Sequence, residues 1–279
     1  MTRAAYDRKI VTATRILFLL LAAVVSRAQT SGSAVTLADT QQRTLTSAKI
    51  GRQYELLVSL SEDYAKSGQS YPVLYVLDGW HFPLMEFIQQ NNIDSKRMRP
   101  VIIVNVSHGD TDYMSLRARD FTPTRTRREA NSGGAPAFLD FFEHELIPFV
   151  DRTWRTVPAD RGLLGHSCGG LFAIYALEQR PALFQRIVAA SPSLDWDGGL
   201  LLIAARDRLR GLSAPVRLDL SVGDDGDNTD STRAFAKILD QLKPPGLDYR
   251  FTVYRGENHN SVRLVSFPAG LYWAYRPVR

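Results

Sequence analysis

The chain has a single cysteine, Cys168, among 279 residues. No intramolecular disulfide can form, so the fold must rest on its core. Long apolar runs are also missing. The longest, Ile16 to Val25, has ten residues, too few to cross about 30 Å of hydrocarbon. A surplus of one charge sign is missing once the ends are separated. The chain holds 34 basic and 29 acidic residues; five of the basic and one of the acidic lie in residues 1–28, which leaves 29 against 28. Nothing in that balance argues for nucleic acid or an anionic membrane as partner. No internal repeat and no low-complexity domain is found. No metal and no cofactor is expected; the acidic turn Gly223 to Asn228 does not read as a calcium loop, because it lacks the Gly and Glu positions of an EF-hand.

What is present begins with a targeting segment. Arg3, Arg8, Lys9 and Arg15 precede the apolar run, and Ser26-Arg27-Ala28 follows it. A basic start, a short apolar stretch and a small-x-small site are the layout of a secretory signal peptide, expected over 1–28 and cut after Ala28. The alternative is an uncleaved N-terminal anchor, which the shortness of the run disfavours. The expected location is secreted or periplasmic, with no membrane span after processing. Residues 29–42 are rich in Ser, Thr, Gln and Ala and read as a loose N-terminal arm. Residues 43–279 read as one domain, as a monomer or homodimer.

Along that domain, strand-like and helix-like segments alternate. Arg52 to Leu60 alternates apolar and polar residues, as a strand near a sheet edge does. Val73 to Leu77 and Val101 to Val106 are continuous β-rich apolar runs, expected of parallel strands covered on both faces. Arg161 to Leu164, Arg186 to Ala190, Val216 to Val222 and Tyr249 to Tyr254 are further strands. Helices are expected over Pro83 to Gln90, Ala137 to Val150, Gly170 to Leu177, Leu200 to Arg210 and Thr229 to Leu242. This alternation predicts an α/β fold, a mostly parallel sheet with helices on both faces. Only 107–135 is long and without clear periodicity, and a connection of that length is usually functional or mobile.

One pentapeptide stands out. Gly165-His166-Ser167-Cys168-Gly169 reads Gly-x-Ser-x-Gly between an expected strand and an expected helix. That context makes it a nucleophile elbow rather than a bland glycine-rich turn. A serine hydroxyl is a poor nucleophile until a base takes its proton, and the usual base is an imidazole. In α/β hydrolases the chain order is Ser, then Asp or Glu, then His. His259 is the only histidine after Ser167, and it follows the last strand. His166 occupies the variable elbow position, His144 a charged helix face, and His81 and His108 sit in loops. The acid is expected after the strand ending at Val222, with Asp225 the first choice and Asp227 the alternative; the competing reading is a turn whose carboxylates cap the next helix. An oxyanion hole needs converging backbone N–H groups. Cys168, the residue after the nucleophile, should supply one, and Trp80, in the loop after Leu77, the other. The side chain of Cys168 reads as a small apolar residue, not a redox or nucleophilic thiol.

These pieces together resemble the esterase family of α/β hydrolases that includes esterase D, feruloyl esterase domains, mycolyltransferases and the ferric enterobactin and bacillibactin esterases. The resemblance rests on Tyr71 to Gly79, Arg119-Asp120-Phe121-Thr122-Pro123, Phe138 to Phe142, Glu145 to Pro148, Leu164 to Phe172, Ser191-Pro192-Ser193 and Gly256 to Val262. It spans residues 45–275 and is strongest with the siderophore esterases. It implies an α/β-hydrolase fold, a small-molecule ester as substrate, Ser167 as nucleophile and His259 as base. The acid varies within the family, and some members work with a Ser-His pair alone. Ser193-Leu194-Asp195-Trp196 departs from relatives that carry two aromatic residues there, which places Trp196 in an altered acyl pocket. The long segment carries Arg117, Arg119, Arg125, Arg127 and Arg128 as candidate contacts for an anionic substrate, Arg117 and Arg119 foremost; the competing readings are a solvated basic loop and, for Arg119-Asp120, a pin that holds the loop to the body. The leading expectation is a serine esterase acting through an acyl-enzyme, with siderophore-type esters among its candidate substrates. An acyltransferase and a catalytically silent binding protein are the alternatives on the same scaffold.

Overall fold

The computed structural model describes residues 37–109 and 112–277. The expected signal peptide lies outside them, as does most of the expected arm. The arm's last residues do not belong to a loose segment. Thr40–Ser47 is the first strand, β1, paired antiparallel with β2, Arg52–Ser59. β1 is an edge strand and buries little, so its sequence carries almost no apolar signal.

Among the described residues, eight strands form one sheet. After β1 and β2 come β3 (Tyr71–Leu77), β4 (Ile102–Ser107), β5 (Thr156–His166), β6 (Arg186–Ala190), β7 (Val216–Asp225) and β8 (Leu247–Asn258), in the spatial order β1-β2-β4-β3-β5-β6-β7-β8. The β1–β2 and β2–β4 pairs are antiparallel, and every pair from β4 onward is parallel. All seven residues of β3 are buried, because the strand has neighbours on both edges and helices on both faces.

Those faces are read alternately along each strand. Val73, Tyr75, Leu163, Ile187 and Ala189 point to one, and Leu74, Val76, Leu164, Val188 and Ala190 to the other. The second face is covered by α1 (Phe82–Ser95), through Met85 and Ile88, and by α8 (Val262–Ala274), through Phe267, Leu271 and Ala274. The larger first face packs under α2 (Tyr113–Phe121), α3 (Ala135–Phe141), α4 (Ile147–Thr153), α5 (Cys168–Gln179), α6 (Trp196–Leu209) and α7 (Thr229–Leu242). Its centre is aromatic. Phe138 lies with ring centroids 5.1–5.7 Å from Tyr54, Phe121, Phe141, Phe142 and Phe172. Truncating a buried ring of this kind costs about 3–5 kcal/mol.

Three elements differ from expectation for identifiable reasons. The single helix expected over Ala137 to Val150 is interrupted by a widened turn, Phe142–Leu146, in which Ile147 N–H reaches the Phe142 carbonyl. Pro148 follows at once, and its ring would strike a carbonyl of an unbroken α-helix. Part of the aperiodic stretch 107–135 is helix α2. Finally, β7 and β8 stay paired beyond their apolar cores, with Asp225 opposite Asn258.

Candidate active site

Three strands that neighbour one another at the sheet centre end in strained turns. Asp78 follows β3 with φ 70°, Ser167 follows β5 with φ 59°, and Ser191 follows β6 with φ 44°. A non-glycine residue at positive φ costs about 1–2 kcal/mol, so these turns persist only because their surroundings hold them.

Ser167 is fixed from both sides. Its N–H donates to the Ala190 carbonyl at 3.1 Å, and its own carbonyl accepts from Leu171 at 2.9 Å and Ser193 at 3.1 Å. The turn is tight enough that a Cβ on Gly165 would lie 2.2 Å from the Gly169 carbonyl oxygen. Ser167 heads α5, and Cys168 is that helix's first residue, so its N–H has no acceptor within the helix. The Ser167 hydroxyl stands 3.4 Å from the Ser193 hydroxyl.

His259 follows β8 directly, and Ser167 and His259 line the same two clefts. The His259 carbonyl accepts a 2.6 Å hydrogen bond from His166 Nε2–H, and the two rings lie 4.6 Å apart. Burial pushes the His166 imidazole down to about 3 and that of His81 to about 4, so both are neutral at ordinary pH. His81 donates from Nδ1 to the Leu77 carbonyl at 2.9 Å. Burial also lowers His259. Asp227 and Asp195 oppose that shift, whereas Arg117 and Arg263 reinforce it.

Neither candidate acid, Asp225 or Asp227, hydrogen-bonds the His259 ring. Asp225 is exposed on the extended β7–β8 ladder, opposite Asn258. Among the described residues no carboxylate hydrogen-bonds to His259. Its Nδ1 lies 3.0 Å from Ser191 Oγ and 3.4 Å from Asn228 Nδ2. Asp227 is exposed at the cleft wall and acts on the ring only through its charge.

Trp80 sits in a single helical turn, Gly79–His81, at the mouth of the first cleft, with its ring 4.3 Å from Tyr113. Glycine precedes it for a reason unrelated to substrate: a Cβ there would meet Ser107 Oγ at 2.4 Å. The turn is anchored by Asp78, which is fully buried. Arg117 Nε and an Nη nitrogen each donate to one Asp78 oxygen at 3.0 Å, and Tyr113 OH donates as well. Burial raises the Asp78 carboxyl, and Arg117, with His81 and Tyr113, more than offsets it, leaving the group below the usual carboxylate value.

Neither arginine expected to meet substrate is free to do so. Arg117 is 5% exposed and its guanidinium is taken up by Asp78, with a further 3.4 Å contact to the His166 carbonyl. It lines the first cleft but binds protein. Arg119 grips Asp120 through two nitrogens, 2.6 and 2.8 Å, and Asp120 also accepts from His108 at 2.9 Å and Tyr54 at 2.8 Å. Trp196 does line the second cleft, where its Nε1–H donates to Thr124 Oγ1 at 3.2 Å.

The clefts differ in chemistry. The first, about 620 Å³, has an apolar rim of Trp80, Pro83, Leu84, Met114 and Leu264. The second, about 770 Å³, is walled by Arg127, Arg128, Asp195, Asp197 and Asp227. Sequence reasoning missed Ser191, Asn228 and Asp78. The motif Ser191-Pro192-Ser193 was a visible signal for the first, Asp78 lay inside the motif Tyr71 to Gly79, and Asn228 closed the acidic turn, but none of these segments marked the role of the individual residue.

The eight-stranded, mostly parallel sheet, its helical layers and the serine at the β5–α5 elbow define an α/β hydrolase. Residues 47–257 match the family described as "Putative esterase", and the chain belongs to that family. It is similar to the ferri-bacillibactin esterase BesA of Bacillus subtilis, 28% identical over 88% of this chain and 93% of that relative. Among solved structures it is similar to the BES protein of Bacillus cereus, with a TM-score of 0.81 and 26% identity over 90% of this chain and all of that one. An IroE-like serine hydrolase from Shewanella oneidensis gives a TM-score of 0.76 at 30% identity, over 85% of this chain and 80% of that one. The chain is a carboxylic-ester hydrolase.

Proposed function

We propose that the protein is a serine esterase that cleaves siderophore-type esters through an acyl-enzyme after export from the cytoplasm. The observation that carries this reading is the elbow serine sharing two clefts with a single half-buried imidazole. Ser167 Oγ attacks the ester carbonyl and its proton passes to His259 Nε2. The negative oxygen of the tetrahedral intermediate is held by the N–H groups of Cys168 and Trp80. The intermediate collapses, the C–O bond to the alcohol breaks, and His259 returns the proton to the departing oxygen. Water then attacks acyl-Ser167 by the same route in reverse order, releasing the acid. The siderophore assignment is supported by similarity to the ferri-bacillibactin esterase BesA, and by two clefts large enough for unlike halves of a bulky ester. Export is supported by the basic, apolar and small-x-small order of residues 1–28; an exported product whose mass begins at Gln29 would verify it.

Ser167→Ala is expected to lower kcat by about 10³-fold or more with the fold intact, as read by p-nitrophenyl ester turnover and circular dichroism. Intact-protein mass spectrometry during turnover should show Ser167 carrying the acyl group. Near-normal turnover in the alanine variant would overturn the reading. Asp225→Ala should leave kcat within about twofold, since its carboxylate lies away from Nδ1. The acid limb of kcat/KM should fall below the ordinary imidazole value of about 6.5, because burial lowers His259 and the neutral base persists as pH drops.

A further inference from the structure

A base in this position must present a bare Nε2 to the nucleophile, so the ring's proton has to reside on Nδ1. In most triads a carboxylate fixes that tautomer. Here the group nearest Nδ1 is the hydroxyl of Ser191, at 3.0 Å. Ser191 is 1% exposed and its backbone is pinned at both ends. Its N–H donates to the Ser221 carbonyl at 2.7 Å, and its carbonyl accepts from Asn228 Nδ2 at 2.6 Å.

Asn228 does not compete for the ring. One hydrogen of its amide goes to the Ser191 carbonyl, and the other is directed at Ser193 Oγ, 3.3 Å away. The 3.4 Å approach of Nδ2 to the imidazole is the longest of its three contacts, and an amide N–H cannot accept the ring's proton. The charged or titratable groups around the ring are His166 from β5, Asp227 from the turn before α7, Asp195 at the start of α6, Arg117 from α2 and Arg263 from α8. Of these only His166 is hydrogen-bonded to residue 259, and it reaches the backbone carbonyl, not the ring.

We propose that Ser191 is the positioning residue of the base: its hydroxyl accepts the Nδ1–H of His259, fixes the productive tautomer and takes the place of the triad carboxylate. The inference rests on the serine-esterase reading. It also gives the strained φ of Ser191 a purpose. A left-handed turn immediately after β6 aims the side chain across the carboxyl ends of β6 and β7 toward the residue that follows β8. A neutral partner fixes geometry without adding charge. The imidazolium formed in the transition state then leans on Asp227 and Asp195 at longer range, and no adjacent anion raises the pKa of the resting ring.

The test uses three variants on the full mature chain. Ser191→Ala removes the hydroxyl, and Ser191→Gly removes it while relieving the positive φ. Both should lower kcat on a neutral p-nitrophenyl ester by about 10–100-fold with KM within about twofold. Ser191→Asp places a carboxylate where aspartate tolerates the left-handed region. It should restore kcat above the alanine level and move the acid limb of kcat/KM upward by about one pH unit. Nitrogen-15 NMR of the resting enzyme reads the tautomer without turnover: Nδ1–H in the wild type, a mixture in Ser191→Gly. A folded Ser191→Gly with wild-type kcat and pH profile, or an Nε2–H tautomer in the wild type, would overturn the proposal. Failure of the underlying reading has a different signature, namely Ser167→Ala remaining active.

Discussion

The two halves of the segment 107–135 carry the same kind of residue and use it in opposite ways. In the first half, Arg117 and Arg119 lie on α2 and are folded inward onto Asp78 and Asp120. In the second, Arg125, Arg127 and Arg128 are exposed, and Arg127 and Arg128 wall the polar cleft. The difference shows how one basic stretch is divided between building the site and facing what enters it. A guanidinium matched to a buried carboxylate is part of the scaffold; one left in water is available to a ligand.

Removing the buried partner tests the contrast most severely. Arg117→Ala leaves Asp78 charged, buried and uncompensated, which should cost about 3–5 kcal/mol of stability. It should also lower kcat on a neutral ester, because the Trp80 turn and the His166 carbonyl lose a common anchor. Denaturant midpoints and short-chain ester kinetics measure both. Arg117→Lys should recover only part of the loss, since an ammonium cannot match two oxygens as the planar fork does. A stable Arg117→Ala with altered KM alone would erase the distinction between the halves.

Acid challenges the same interior from another direction. His81 and His166 are held near 4 and 3 in the fold, against about 6.5 in an unfolded chain. Below about 6.5 the unfolded state therefore binds protons that the folded state refuses. Stability is fully present above that pH and is lost progressively as pH falls toward 4. The loss from His81 alone is on the order of 3 kcal/mol. Glu178, pushed by burial up to about 7, pulls the other way over the same range, so the histidines are read by difference: a slope between pH 6.5 and 4.5 that is unchanged in His166→Gln would contradict their buried neutral state. His166→Gln should flatten the curve.

The exposed half should give the smallest effect. Arg127→Ala and Arg128→Ala are expected to change stability by less than about 0.5 kcal/mol. Each should raise KM severalfold for an anionic ester, leave a neutral ester unchanged and leave kcat alone. Roughly 0.5 M salt should remove the difference. Equal effects on both esters would return this half to a structural role.

Much of this architecture was legible from local pattern. β3 and β4 are continuous apolar runs, and the elbow is specified by five adjacent residues. What escaped was set by distant partners. β1 carries no apolar rhythm because an edge strand buries little. Helix α2 hides its periodicity because its inward positions include Arg117 and Asp120, and charges read as solvent-facing unless their partners are known. The acid was sought by chain order after β7. Extension of the β7–β8 ladder carries Asp225 out to solvent, while Ser191, from a different strand, reaches the ring. Paired burial and cross-strand approach leave no trace in spacing.

The proposed base is mounted on the rim of the sheet. β8 is the last strand, bonded along one side only, and His259 is the residue after its end. The proposed nucleophile, by contrast, grows from β5 in the middle. One partner of the proposed proton transfer therefore belongs to a strand paired along both edges and the other to a strand held along one, and a border can open locally without unfolding the core. Catalytic competence and global folding are then separable. The enzyme can fall silent through a loosening of its margin while its core is still whole.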